Sequence, residues 1–438
     1  MKLDTAFRLA IVAALCAALF IPVQMIQGLV AERQARHGEA IAGIAEGWGR
    51  PQVLFGPYLA VPYEVTRVDV AQETVDGRER EKRTERVERH VRRIAVDSID
   101  WTLDAAVGEK ARGIYRARLY GLKASAVGRF SVPAGFGIVE NGGTVRVGTP
   151  RFVFCVSDAH GIRTIGPLAF DGASHAFRAG SGGPEPAAGL HVPLPALAAP
   201  QSGAPRSYAF SFSMELGGSE SLALQPMGGD TTVAMHADWP HPSFQGQFLP
   251  VRHEIDAGGF TANWKISRYA TQEKESLGVS FIESAGLYQR LERASKYGFL
   301  FIGLTFAAFL LVELLRRLAL HPIQYTLVGL ALAMFFLLLT ALSEHVPFAT
   351  AYGVATLACV GLVTIYLVKV LRSWRLGLAF GAALGALYAV LYALLKAEDY
   401  ALLGGSLLLF GLLAAAMLAT RNVDGFALTA RRAGQTAP

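Results

Sequence analysis

Residues 320–348 read LHPIQYTLVGLALAMFFLLLTALSEHVPF: a histidine, an apolar run, then Ser343, Glu344 and His345. The stretch reads either as a polar site or as the two polar ends of something thick. From Gln324 to Ser343 no residue is charged. About twenty residues as a helix span roughly 30 Å, the hydrocarbon thickness of a bilayer. His321 and His345 therefore fall at opposite ends of one straight span. Ligands of one metal ion lie within a few ångströms of each other, so these two histidines do not share one.

The rest of the chain agrees with a membrane reading. Of 438 residues, 52% are hydrophobic, 17% are charged and mean hydropathy is +0.34. Soluble domains carry about 25% charged residues. The apolar excess is concentrated at the N-terminus and after Tyr297. Six runs of near-spanning length are expected: Leu9–Ala31, Tyr297–Leu315, Gln324–Leu342, Ala349–Val368, Leu376–Leu395 and Ala401–Thr420. The first is longer than a signal-peptide core and no small-x-small cleavage site follows it, so it reads as an uncleaved anchor. Pro22 lies inside it. Short connections after Tyr297 make antiparallel neighbours, a helical bundle.

Lys and Arg near the span ends set the direction of crossing. Lys2 and Arg8 precede the first run, Arg316 and Arg317 follow the second, and Lys369, Arg372 and Arg375 separate the fourth and fifth. Arg421, Arg431 and Arg432 follow the sixth. All fall on one side if every run crosses. The other side receives SEHVPF, with no basic residue but His345, and KAEDY, with Lys396. Both termini are therefore expected in the cytoplasm and the middle of the chain beyond the membrane. The net charge of +6 is largely this orientation signal and not a nucleic-acid footprint.

Between residues 32 and 296 the hydrophobic period changes to two. In SYAFSFSMEL, Phe210, Phe212, Met214 and Leu216 alternate with polar residues, and TTVAMHADW and GIYRARLYG behave likewise. RFVFCVSD is continuously apolar and suits a strand buried on both faces, with Cys155 packed as a small hydrophobe. Gly and Pro punctuate these runs, which predicts an antiparallel sandwich or barrel. The Gly/Pro-rich piece 180–206 is either a long connection or a joint between two β subdomains. The expected organisation is an anchor (1–31), a β-rich domain (32–296), a five-helix bundle (297–420) and a tail (421–438). Cys155 has no partner in the middle domain, so this domain folds without disulfides.

Asp76–Arg93 carries eight basic and five acidic residues and almost no apolar face. It reads as a solvated helix with i,i+4 pairs, as a charged hairpin, or as a patch for anionic headgroups or polysaccharide. His241, in WPHPSFQGQFLP, lacks a neighbour at metal-ligand spacing.

Several motifs carry a family resemblance. The C-terminal third contributes KYGFLFIGLTFAAFLLVELL, HPIQYTLVGLALAMFFLLLTALSEHVPFATAYG and LYALLKAEDYALLGGSLLLFGLLAAAMLATRNVD. The middle adds GEKARGIYRARLYG, WPHPSFQGQFLP and GGFTANWKISRYA, and the first junction WGRPQVLFGPYLAVPY. Together they resemble the CreD family of bacterial inner-membrane proteins over nearly the whole chain. The charged stretch 76–93 and the piece near Gly180 carry none of it. The resemblance implies a Gram-negative inner membrane, a periplasmic domain and control by a two-component system. It implies roles in envelope integrity, tolerance of certain colicins and response to β-lactam stress. It implies no reaction and no catalytic residue.

Polar groups at span ends are the candidates for function, because ionisable groups are costly near hydrocarbon. Glu344 and His345 follow the third run, and Glu398 and Asp399 follow the fifth on the same side. Such a periplasmic-face cluster could bind a cation, relay protons, dock the β domain, or simply face water. Glu313 is three and four residues from Arg316 and Arg317, which explains it by local pairing. Gly381 and Gly385 form a GxxxG that suits close packing within the bundle or between copies of the chain. The sequence has no P-loop, no Rossmann glycine fingerprint and no CxxC pair, so neither a cofactor nor a catalytic residue is assigned.

The first expectation for function is a non-enzymatic envelope protein that binds an envelope component or partner protein, and the lipid bilayer, but no nucleic acid. A transporter or channel gated by the periplasmic domain is an alternative; its spans offer threonines such as Thr305, Thr340, Thr356 and Thr364 but no central charge. A membrane-surface enzyme using Glu344, His345, Glu398 and Asp399 is another.

Overall fold

A computed structural model describes residues 2–417 except 76–77, 114, 141, 184–188, 271–274, 282–285, 317–320, 397–402, 408–409, 412–413 and 415–416. The chain forms two compact units. One comprises Met1–Arg36 with Ala285–Pro438, and the other His37–Ser284.

The first unit is helical. Its described helices are α1 (Lys2–Trp48), α2 (Leu287–Arg316), α3 (Pro322–Ser343), α4 (Phe348–Val370) and α5 (Trp374–Lys396), with α1 passing into the second unit after Arg36. Among the described residues four helices are long and apolar enough to cross a membrane: Ala13–Trp48 within α1, and α3, α4 and α5. The expected second run lies inside α2, and the sixth falls mostly outside the described residues.

The sequence reading ends the first run at Ala31, whereas α1 continues to Trp48. Charge ends a hydrophobic run without ending a helix. The pairs Glu32–Arg36 and Glu46–Arg50 sit at i,i+4 spacing, 2.6 and 2.9 Å apart. On α1 the residues Leu19, Val23, Ile26 and Val30 repeat on one face and join a core with Phe301, Phe306, Tyr325, Phe335 and Tyr388. Several polar side chains within this core find carbonyl partners, whereas Thr356 Oγ1 is buried with no hydrogen-bond partner among the described residues. Tyr352 Oη donates to the Tyr388 carbonyl at 2.6 Å. The hydroxyls of Thr305, Thr340 and Thr364 each donate to the carbonyl four residues earlier, at 2.8, 2.8 and 2.6 Å. These threonines therefore spend their donors on their own helices.

Close approach in the bundle uses glycine where the sequence suggests, in a shifted register. A Cβ at Gly381 would collide with Thr364 of α4, and one at Gly377 would meet Val368 at 2.5 Å. A Cβ at Gly385 would meet nothing within 4 Å among the described residues. The tight seam between α4 and α5 is thus Gly377 with Gly381, and Gly385 lies outside it.

The second unit is β-rich, with two mixed sheets of nine strands. In the first, β10 (Arg178–Ala179), β11 (Gly189–Pro193), β6 (Arg151–Val156), β1 (Gln52–Val75), β13 (Ser221–Gln225), β18 (Leu277–Ser280) and β15 (Ser243–Gly246) follow one another. β2 (Arg78–Ala95) and β5 (Thr144–Val147) also pair with β1. The second sheet runs β16 (Arg252–Asp256), β17 (Gly259–Ile266), β14 (Asp230–Ala237), β3 (Ser98–Arg112), β4 (Tyr115–Val132), β12 (Arg206–Ser219), β8 (Leu168–Phe170) and β9 (Ala173–His175). There β7 (Ile162–Ile165) pairs with β12.

The expectation of purely antiparallel sheets is corrected at two places, since β1 pairs with β13 and β3 with β14 in parallel. Alternation reports which face is buried and is blind to strand direction. The helical alternative for Asp76–Arg93 is corrected as well. Residues from Arg78 onward form β2, laddered antiparallel along β1 from Tyr58↔Ala95 to Val75↔Arg78.

The inner faces meet across one aromatic core. Trp101 lies 5.7 Å from both Phe154 and Phe212, and Phe152 lies 5.4 Å from Phe210. Leu54, Phe152, Leu224 and Val279 of one sheet and Trp101, Phe130, Phe210, Val233 and Trp264 of the other belong to this cluster. It unites residues on both sides of 180–206. The run RFVFCV is buried on both faces, as read. Phe152, Phe154 and Val156 point into the core, while Val153 and Cys155 pack on the other face with Tyr58 and Ala60. Cys155 is 6% exposed. A membrane-impermeant maleimide should therefore leave Cys155 largely unmodified in native protein and label it rapidly after denaturation. Rapid labelling of the native chain would contradict this packing.

Candidate functional site

The helical unit places His321 and Glu344 as the two caps of the 22-residue helix α3. At one end the Ile323 amide donates to His321 Nδ1 at 3.4 Å and the His321 amide donates to Gln324 Oε1 at 3.1 Å, a reciprocal capping box. At the other end Glu344 is only 10% exposed and pairs with Arg33 of α1 at 3.6 Å. Its second oxygen, Oε1, is buried with no hydrogen-bond partner among the described residues, and so are Ser343 Oγ and Arg293 Nη1 at the start of α2. His345 is exposed.

A buried carboxylate with one weakly paired oxygen is expensive unless its neighbourhood supplies charge, which Arg33 does. The sequence marks Glu344 and His345 at this end but gives no sign of Arg33, which lies two residues past Ala31, beyond the expected end of the anchor. Glu398 and Asp399 lie outside the described residues. Among the described residues no group of three or more His, Cys, Asp or Glu side chains could hold a metal ion.

The β unit carries a second polar locus, where α1 ends against the sheets. Trp48 is held from three sides. Its indole N–H donates to the Tyr120 carbonyl at 3.0 Å, its carbonyl accepts from Arg163 at 2.6 Å, and Lys110 and Arg163 lie over its ring at 3.9 and 4.5 Å. Gly49 follows at φ 138°, and a Cβ there would collide with the Gly217 carbonyl, so the chain turns where only glycine fits. The buried Gln52 amide then donates to the carbonyls of Asp158 and Gly217 at 3.0 and 3.3 Å. Burial opposes ionisation of Asp158. Hydrogen bonds from the amides of Arg50 and His160 and from the His160 ring outweigh it, holding this carboxyl below the usual range.

Opposite this turn, β12 passes into β13 through Glu220, a non-glycine residue at φ 59°. Its backbone is locked: the amide donates to the Arg118 carbonyl at 3.2 Å, and the carbonyl accepts from the Phe281 amide at 2.8 Å. Burial pushes the Glu220 carboxyl up. The preceding Ser219 is fully buried and its hydroxyl has no partner among the described residues. Both residues line a cavity of about 530 Å³ with Ile41, Ala42, Ala45 and Pro51. The GGSES stretch, residues 217–221, has no hydrophobic period that announces a cavity.

A third feature is the β1–β2 arm. β5 covers β1 only as far as Thr66↔Thr144. From Arg67↔Arg86 to Val75↔Arg78 the two strands run on as nine paired rungs. Nine rungs reach roughly 30 Å. Among the described residues β2 pairs with no strand but β1, so its outer backbone edge is open. Cross-strand pairs Thr66↔Val87, Val68↔Glu85 and Val70↔Arg83 share one face, on which Val68, Val70 and Val87 are each more than half exposed. The other face is tied down near its base, with Tyr63 stacked on His90 at 5.3 Å and its hydroxyl donating to Glu140 at 3.0 Å.

The family profile described as "Inner membrane protein CreD" matches residues 4–426. "Inner membrane protein CreD" of Escherichia coli (strain K12) is 32% identical over 426 residues, covering 94% of this chain and 91% of the relative. Among solved structures, a variant of the M1 zinc metallopeptidase from Deinococcus radiodurans is 10% identical, with a TM-score of 0.23 over 42% of each chain. Another crystal structure of that peptidase gives 0.20 at the same identity and coverage. Superpositions this poor carry no argument about fold or chemistry.

Proposed function

Because the chain belongs to the CreD family of inner membrane proteins, we propose that its β unit stands in the periplasm as a non-enzymatic binding module that supports envelope integrity and stress response. Six crossings, with both termini in the cytoplasm, hold the module at the membrane. Two apolar segments supplement the four long apolar helices in this reading: the one within α2 and the one at 401–420. The distribution of Lys and Arg supports the direction.

The observation that carries the binding role is the β1–β2 arm. Folded proteins usually cover or blunt such an edge, because open N–H and C=O groups template pairing with another chain. Here the edge is long, projects from its sheet and carries exposed valines beside charges of both signs. The charges disfavour indiscriminate pairing, and a strand of complementary charge can still add to β2 by main-chain hydrogen bonds. The partner is accordingly a periplasmic protein segment in extended conformation.

Arg67 and Arg86 are directly opposed, so replacing residues 68–85 by Asn-Gly closes the ladder with a two-residue turn. The trimmed chain should accumulate normally, keep Cys155 protected, and fail to support growth under β-lactam stress. A photocrosslinker at Val87 of the full chain should capture a periplasmic protein in living cells. Full stress tolerance of the trimmed chain would overturn the role of the arm.

A further inference from the structure

We propose that the cavity beside Glu220 is a binding site for a small alkylammonium group, a primary amine on a short aliphatic body. The inference does not depend on the arm or on the direction of the chain in the membrane.

Four observations converge. The cavity, about 530 Å³, is of the size that holds small ligands. Its apolar wall comes from Ile41, Ala42 and Ala45 at the end of α1 and from Pro51. On the facing corner, the partly buried Glu220 carboxylate makes neither a hydrogen bond nor an ion pair among the described residues. Ser219, fully buried, adds a hydroxyl that is likewise without a partner among the described residues. Finally, Glu220 is held at φ 59° by backbone bonds on both sides, a conformation that a non-glycine residue adopts at a cost and that marks sites where strain serves placement.

The chemistry of these groups selects the ligand. A carboxylate lacking a counter-charge favours a cation. An ammonium brings three donors, enough for a Glu220 oxygen and the Ser219 hydroxyl together. Methylenes behind it would cover the alanine and isoleucine wall. Among the described residues that line the cavity the one cation is Arg50, which is already paired with Glu46 at 2.9 Å. An anion would meet the Glu220 charge, and a neutral alcohol would leave it unpaired.

The probe is n-butylamine, titrated against the full chain in nanodiscs by ligand-observed NMR, with n-butanol and butyrate as controls. Two variants accompany the wild type. Glu220→Gln keeps the shape and removes the charge, and Ala42→Phe fills the apolar wall while leaving Glu220 intact. Both are checked for wild-type melting. Saturable binding of butylamine is expected, with butanol and butyrate at least about tenfold weaker, the loss that goes with a missing charge-assisted hydrogen bond. Each variant should weaken butylamine by at least about tenfold as well. If Glu220→Gln does not fold, Ala42→Phe and the control ligands decide the matter. Absence of saturable butylamine binding, equal binding of butanol, or undiminished binding in a folded variant would overturn the proposal.

Discussion

Replacing Trp101 by alanine should destabilise the β unit by about 3–5 kcal/mol, the usual cost of deleting a large aromatic side chain from a packed core. Trp101 is 2% exposed and packs across the sheets on Phe154 and, within its own sheet, against Phe212. Among the described residues its buried indole N–H has no partner. An unpaired buried donor costs about 1–3 kcal/mol, so Trp101→Phe removes that penalty along with part of the packing. The phenylalanine variant should therefore stay within about 1.5 kcal/mol of the wild type, far from the alanine variant. Pulse proteolysis of the full chain across a urea series, following the β-unit fragment, measures both. Equal losses in the two variants would show that the ring's contacts across the sheets are not what holds them together.

Gly381→Leu should have the largest effect in the helical unit. Its Cβ would already collide with Thr364, whose hydroxyl is engaged with the Val360 carbonyl, and three more carbons would follow into the α4–α5 seam. Overpacking of this kind costs about 1–3 kcal/mol where neighbours can shift. Here the neighbour is held by its own helix, so the high end is expected, with lower accumulation and a lower melting temperature in detergent. Gly385→Leu is the internal control, because among the described residues nothing lies within 4 Å of its Cβ position. It should accumulate as the wild type does. Equal damage from both substitutions would argue that Gly385 also lines a packed seam.

These two predictions rest on features of unequal visibility in the sequence. The strand set Phe210, Phe212, Met214 and Leu216 was legible because a half-buried strand repeats every two residues, and all four are buried. The doubly buried RFVFCV was legible because nothing polar interrupts it. His321 and Glu344 were legible as opposite helix ends because length alone separates them.

What was hidden depends on contacts remote in sequence. The parallel pairings of β1 with β13 and β3 with β14 leave no trace in either strand's period. The arm reads as helix or hairpin equally well, because Glu and Arg two apart and four apart both occur in EREKRTERVER. Strand pairing with β1 decides it. The ion pair of Glu344 with Arg33 joins residues more than three hundred positions apart. The corner at Glu220 owes its character to the end of α1, which local pattern does not bring near it.

The central claim is that the β unit stands across the membrane from both termini, and a paired reporter experiment tests it most directly. One fusion follows Pro438, and the other is inserted at Gly182, an exposed glycine at φ 70° beyond β10. Each site receives in turn a reporter active only in the cytoplasm and one active only in the periplasm. The account predicts cytoplasmic activity alone after Pro438 and periplasmic activity alone at Gly182. Cytoplasmic activity at Gly182, or periplasmic activity after Pro438, would contradict it.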